Sequence, residues 1–162
     1  MALDATVGGA SSNSYVTRAA AETYFGDRLD VTEWDNASND NKDAALVMAT
    51  LRLEQEDYDG VRADQDQNLK WPRYSVYVDG VYQDSAAIPR VIKEATYELA
   101  LAILKDTTLL SDTGLEGFAS VKLGELDITP RFRAGGSLPA EVDRLLRGVK
   151  ISAGHISRLI RS

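Results

Sequence analysis

The chain contains no cysteine, a single histidine and only four prolines among 162 residues. Without cysteine, disulfides, thiol nucleophiles and zinc sites built on thiolates are excluded. The same absence suits a reducing cytosol. His155 follows Gly154 near the end of the chain and has no carboxylate close to it in sequence. It therefore reads as a structural or exposed side chain, not as the general base of a nucleophile–base pair. Cations are the minority charge: 18 Lys and Arg stand against 25 Asp and Glu, for a net charge of −7. That balance disfavours a general nucleic-acid binder, whose affinity comes largely from Lys and Arg at phosphates. No run approaches the roughly 20 apolar residues that span a bilayer. The first residues lack the basic and apolar regions of a signal peptide. Phosphate-cradling glycine loops and the G-x-S-x-G nucleophile elbow are missing from the sequence. No catalytic residue, metal site or cofactor follows, and the chain does not read as an enzyme.

What is present suits one globular domain. Hydrophobic residues make up 44% and charged residues 27%, and the length allows a sizeable core. The charge is uneven. Residues 143–162 hold Arg144, Arg147, Lys150, Arg158 and Arg161 against Asp143 alone. A basic tail on an acidic body suggests a tail that docks on something.

The longest apolar-periodic stretch is 88–106, IPRVIKEATYELALAILKD. Pro89 suits the first turn of a helix, where a missing N–H costs nothing. Ile88, Val91, Ile92, Ala95, Leu99, Ala102 and Ile103 share one stripe at helical spacing. Tyr97, Leu101 and Leu104 point away from it, so the second half is apolar nearly all round. Such a helix is covered on both sides, either by its own subunit or by a neighbour. The other helical segments offer little material to cover both sides. This favours an inter-subunit contact at Tyr97, Leu101 and Leu104.

Elsewhere, residues 1–14 form a small, polar arm that a neighbour would hold in place. A first helix spans 15–29, with Thr17 as N-cap and the alanines 19–21 favouring helix. Trp34 plugs the following loop. A second helix spans 39–58 with Ser38 as N-cap, and Ala44, Val47, Met48 and Leu51 as its core stripe. The carboxylates between Glu54 and Asp66 do not meet the spacing of a calcium loop and read as a solvated face. Residues 74–82 alternate around Asp79-Gly80, a hairpin signal. Two strands alone are marginal, so Tyr77 and Tyr82 are expected to contact a partner. Trp71, Tyr74, Tyr77 and Tyr82 beside Lys70 and Arg73 also allow base stacking on single-stranded DNA. Val121, Leu123, Leu126 and Ile128 form a short β segment whose phase slips at Gly124-Glu125, at a bulge or tight turn. Pro139 opens a last helix ending near Gly148. The remainder, 149–162, is an amphipathic tail too short to fold without a surface.

The fold class is therefore mainly α. We expect a small bundle of about four helices with a hairpin excursion near 74–82, a short β segment and an extended C-terminal tail. The domain boundaries are 1–14 for the arm, 15–148 for the helical domain and 149–162 for the tail.

Several motifs stand in a familiar order. Ser14-Tyr15-Val16 is followed by Trp34 and a helix with Lys42, Ala45-Leu46 and Ala49-Thr50. Then come Leu69-Lys70-Trp71-Pro72-Arg73, Asp79-Gly80, Ile88-Pro89 and Glu98-Leu99-Ala100. In order and spacing these resemble the head-to-tail connector or adaptor proteins of the tailed-bacteriophage neck, whose relatives are also labelled DnaT-like single-stranded DNA-binding proteins. The resemblance covers residues 14–105 and is most specific from Trp-Pro-Arg to Ile-Pro. It implies a virion protein made in the host cytoplasm, a homo-oligomeric, dodecameric ring beneath the portal protein. Double-stranded DNA would pass through the lumen, and no membrane would be involved. The tail, through Lys150, Ile151, Ile156, Arg158, Leu159, Ile160 and Arg161, would reach the portal. Loops would receive a tail or nozzle/terminator protein. The alternative is the single-stranded DNA-binding function of the second label.

Overall fold

The computed structural model describes residues 2–106, 121–123, 126–128 and 138–151. Among these, α1 spans Arg18–Gly26, α2 Thr32–Asn36, α3 Asn39–Leu53, α4 Arg90–Lys105 and α5 Ala140–Leu146. The mainly helical reading holds, with one short helix more than the sequence suggested. The caps are those the sequence offers. The Thr17 hydroxyl accepts from Ala20 N at 3.2 Å, and the Ser38 hydroxyl accepts from Asn41 N at 3.2 Å. Each satisfies an N–H that the first turn leaves unpaired. Pro89 and Pro139 stand at the N-caps of α4 and α5. The loop that holds Trp34 coils into the single turn of α2, which carries the indole into the core.

Helix α4 is the centre, with α3, α5 and α2 packed around it. Its Ile92, Ala95, Leu99 and Ile103 meet a core that also contains Leu46, Leu53, Phe25, Trp34, Val142 and Leu146. Two buried threonines keep their hydroxyls satisfied within their own helices. Thr50 donates to Leu46 O at 3.0 Å and Thr96 to Ile92 O at 2.7 Å, so neither hydroxyl is stranded in the apolar interior.

The structure corrects four expectations. The first concerns the back of α4. Tyr97 and Leu101 are buried within one chain, and Leu104 is half-buried. Tyr24 of α1 stacks on Tyr97 with ring centroids 4.5 Å apart, and Phe25 meets it edge-on at 6.3 Å. The apolar back is therefore covered without a neighbour, and the argument for a subunit contact there falls away.

The second concerns α3, whose core face is Ala45, Leu46, Ala49, Thr50 and Leu53. The stripe expected inside has Ala44, Met48 and Leu51 exposed and Val47 half-buried. The small Ala45 and Ala49 line the face that meets α4, and small residues let two helices approach closely.

Third, the N-terminal arm is held by its own chain. Asp4 accepts from Thr6 N, Thr6 Oγ1 and Ser11 Oγ at 2.9, 2.7 and 3.0 Å. Asn68 then ties the arm down, donating from its N to Gly9 O at 3.1 Å and from its amide to Ser12 O at 2.7 Å. Fourth, the body continues past residue 148. Val149 is fully buried, its carbonyl accepts from Asp59 N at 3.0 Å, and Ile151 N donates to Asp57 O at 3.0 Å.

Three antiparallel ribbons complete the described part: β1 Val61–Arg62 with β2 Arg73–Tyr74, β3 Tyr77–Val78 with β4 Val81–Tyr82, and β5 Val121–Leu123 with β6 Leu126–Ile128. Leu123 pairs with Leu126, so the phase slip in the sequence falls between the two strands of a ribbon.

Candidate interaction surface

The segment Leu69–Arg73 is the mount for an exposed hairpin. Trp71 is buried, packs edge-on against Tyr58 with centroids 5.4 Å apart, and precedes Pro72 through a cis bond. Above it lies the Arg73 guanidinium, 5.9 Å from the ring centroid. Arg73 donates to four backbone carbonyls: Asp59 at 2.7 Å, Gly60 at 2.6 Å, Tyr58 at 3.1 Å and Lys70 at 3.3 Å. Such charge-assisted bonds hold the 58–62 turn against β2. Burial pulls the Arg73 pKa down from its ordinary value, yet an arginine remains charged at any physiological pH. Gly60 sits at φ +75°, and a Cβ there would lie 2.1 Å from Tyr74 O. Only glycine fits that close approach.

Glu54 anchors the other side. Its carboxylate accepts from Lys70 N at 2.9 and 3.0 Å and from the Tyr15 hydroxyl. Burial, and then the Glu54 charge, push the Tyr15 phenol far above the normal tyrosine range. The Lys70 ammonium donates to Glu56 O at 2.7 Å. The two cations of the motif are thus engaged with their own chain.

From this mount the β3–β4 hairpin projects. Val76 is fully buried, and its carbonyl accepts from Gln83 N at 2.9 Å, which roots the ribbon. Asp79 and Gly80 take φ values of +51° and +80°, the two left-handed positions of a type I′ turn. Tyr77 and Tyr82 face each other across the strands, with ring centroids 5.5 Å apart at 68°. They are 59% and 50% exposed, and Val81 is 64% exposed. Val61 and Tyr74, on the neighbouring ribbon, are exposed too. The Asp-Gly signal located the hairpin. No sequence signal revealed the β1–β2 ribbon, because two residues per strand leave no periodicity to read.

The remaining candidates fall as follows. Trp71, offered as a stacking side chain, is buried and cannot meet a base. Lys150 lies 2.7 Å from Glu56 and 3.1 Å from Asp143, inside an ion-pair cluster of its own chain. Burial lowers its pKa, but the hydrogen bonds to these two carboxylates more than compensate and the net shift is upward. Ile151 is 44% exposed. Ile156, Arg158, Leu159, Ile160 and Arg161 lie outside the described residues. Among the described residues no group of His, Asp and Glu side chains is placed to hold a metal ion, and no helix is long and apolar enough to cross a membrane.

A family described as "Putative DnaT-like ssDNA binding protein" matches residues 1–161. The chain belongs to this family. Its description names binding, not a reaction. Neither a curated protein nor a solved structure matches the chain.

Proposed function

We propose that this family member is a structural subunit that works by contact: a head-to-tail adaptor that joins a ring of its own copies to a portal above and a tail component below, leaving a lumen for DNA. One observation carries the reading. A small acidic domain with a complete core displays Tyr77, Val81 and Tyr82 on a rooted hairpin. Aromatic side chains presented on a fixed element are the usual anchors of protein interfaces. No chemistry is assigned to any residue. The test is the mass of the complex formed with the portal protein of the same phage. The expected result is a ring on the portal, lost with Tyr77→Ala/Tyr82→Ala. Absence of any complex with the unaltered chain would overturn the reading.

A second reading, single-stranded DNA binding, has the family description on its side, which the adaptor reading lacks. Tyr74, Tyr77 and Tyr82 are exposed and could stack bases. Against it stand the net charge of −7 and the engagement of Lys70 and Arg73 by backbone carbonyls. Titration of a labelled oligothymidylate at low and high salt separates the two. Salt-dependent binding that Tyr77→Ala/Tyr82→Ala abolishes would establish the second reading. No binding at low salt would remove it.

A further inference from the structure

The outer face of α3 is the least explained surface of the described chain. Ala44, Val47, Met48 and Leu51 form a continuous apolar stripe at helical spacing, with Leu51 57% and Met48 39% exposed. Along it runs a groove of about 530 Å3 lined by Asp40, Asp43, Ala44, Val47 and Met48. The apolar end of the stripe lies toward Leu51 and the acidic end toward Asp40. Asp43 carries a buried oxygen, Oδ1, with no hydrogen-bond partner, while its other oxygen holds Arg18 at 2.8 Å.

We propose that the chain's own C-terminal segment, residues 152–162, docks along this stripe antiparallel to α3. Three observations choose that occupant. The first is the exit point. Ile151 N is bonded to Asp57 O, so the segment leaves the body four residues beyond Leu53, the last residue of α3, at the end of the helix where Leu51 lies. The second is reach. From Leu51 to Asp40 the helix rises about 16 Å. With Ile156 over Leu51, the six residues 157–162 cover about 9 Å of it as a helix and all of it, about 20 Å, when extended. The third is complementarity in order. Running back along α3, Ile156 comes first, then Leu159 and Ile160, with Arg158 and Arg161 alongside. Apolar residues therefore meet Leu51, Met48 and Val47, and Arg161, the last charge of the run, extends toward Asp43. The proposal does not depend on which function holds. In the adaptor reading it means that the segment must leave α3 before it can engage a portal.

The absence of cysteine makes the test clean. In the full chain, Met48→Cys/Leu159→Cys is oxidised gently at low protein concentration and read by non-reducing electrophoresis and mass. A second pair, Leu51→Cys/Ile156→Cys, guards against local misfolding of the first. Leu29→Cys/Leu159→Cys is the control, because Leu29 is 95% exposed. The expected result is an intramolecular bond in both test pairs, formed at least tenfold faster than in the control and slowed by high salt. Crosslinks found only between chains would overturn the proposal in favour of a neighbour's segment. Rates equal to the control would overturn it outright.

Discussion

Helices α3 and α4 are both apolar on two sides, and among the described residues only α4 is covered on both. Around α4, the rings of α1 close over Tyr97 while α3 and α5 pack along its length. Around α3, Ala45, Leu46 and Ala49 are buried and Met48 and Leu51 are not. A two-sided apolar helix thus has two explanations, a central place in its own fold or an unfilled contact. The sequence pattern is the same for both. What separates them is whether enough material folds back within the chain.

The comparison is sharpest at the level of single side chains. Leu46→Ala should destabilise the fold by about 2–5 kcal/mol, the range for emptying a packed leucine site. Leu51→Ala, five residues on, should cost no more than about 1 kcal/mol, because only the proposed C-terminal segment covers it. Urea denaturation midpoints measure both. Equal losses would show that the two faces of α3 are equally packed in solution.

Next in size is the mount. Arg73→Ala should cost about 1.5–3 kcal/mol, because it strands carbonyls that share one cation. Arg73→Lys should recover little of this, since one ammonium cannot span the same fork. The same denaturation curves read it, and full rescue by lysine would mean that charge alone matters.

Smaller still is the alkaline limb. Burial raises the Tyr15 and Tyr58 phenols far above the ordinary value. The folded state therefore keeps protons that the unfolded state releases above about pH 10. Stability is full below that pH and is lost as pH rises. Tyr15→Phe should flatten the loss between about pH 9 and 11, measured as the drop in urea midpoint. An unchanged slope would show that Tyr15 titrates freely.

The smallest effect is at the arm. Hydrogen bonds from the Thr6 side chain, Thr6 N and Ser11 hold the Asp4 carboxyl below its usual pKa. The stability this lends is present above the unfolded value and is lost as pH falls through the folded one. Asp4→Ala should speed amide exchange over residues 6–13 and leave the global midpoint unchanged.

Much of this architecture could be read from the chain. The caps Thr17 and Ser38, the proline starts of α4 and α5, and the Asp79-Gly80 turn are local chemistry, so local reasoning found them. The face of α3 was misread because Val47, Met48 and Leu51 outweigh Ala45 and Ala49 in hydrophobicity, whereas packing against α4 selects size. The clamp at Arg73 was invisible for another reason. It joins backbone carbonyls of residues 58–60 and 70, and no side-chain pattern encodes where a carbonyl points. The hairpin was located, but the burial of Trp71 beneath it could not be told from an aromatic ready to stack.

Both tryptophans are buried, Trp34 beside Phe25 and Trp71 beside Tyr58. Neither indole N–H has a hydrogen-bond partner. The chain therefore carries two native optical probes in its interior, one against α1 and one under the hairpin mount. Ligands that touch only the exposed tyrosines or the outer face of α3 leave tryptophan emission unchanged. A shift in that emission on mixing with any partner reports a rearranged interior, and Trp34→Phe or Trp71→Phe tells which half of the domain moved.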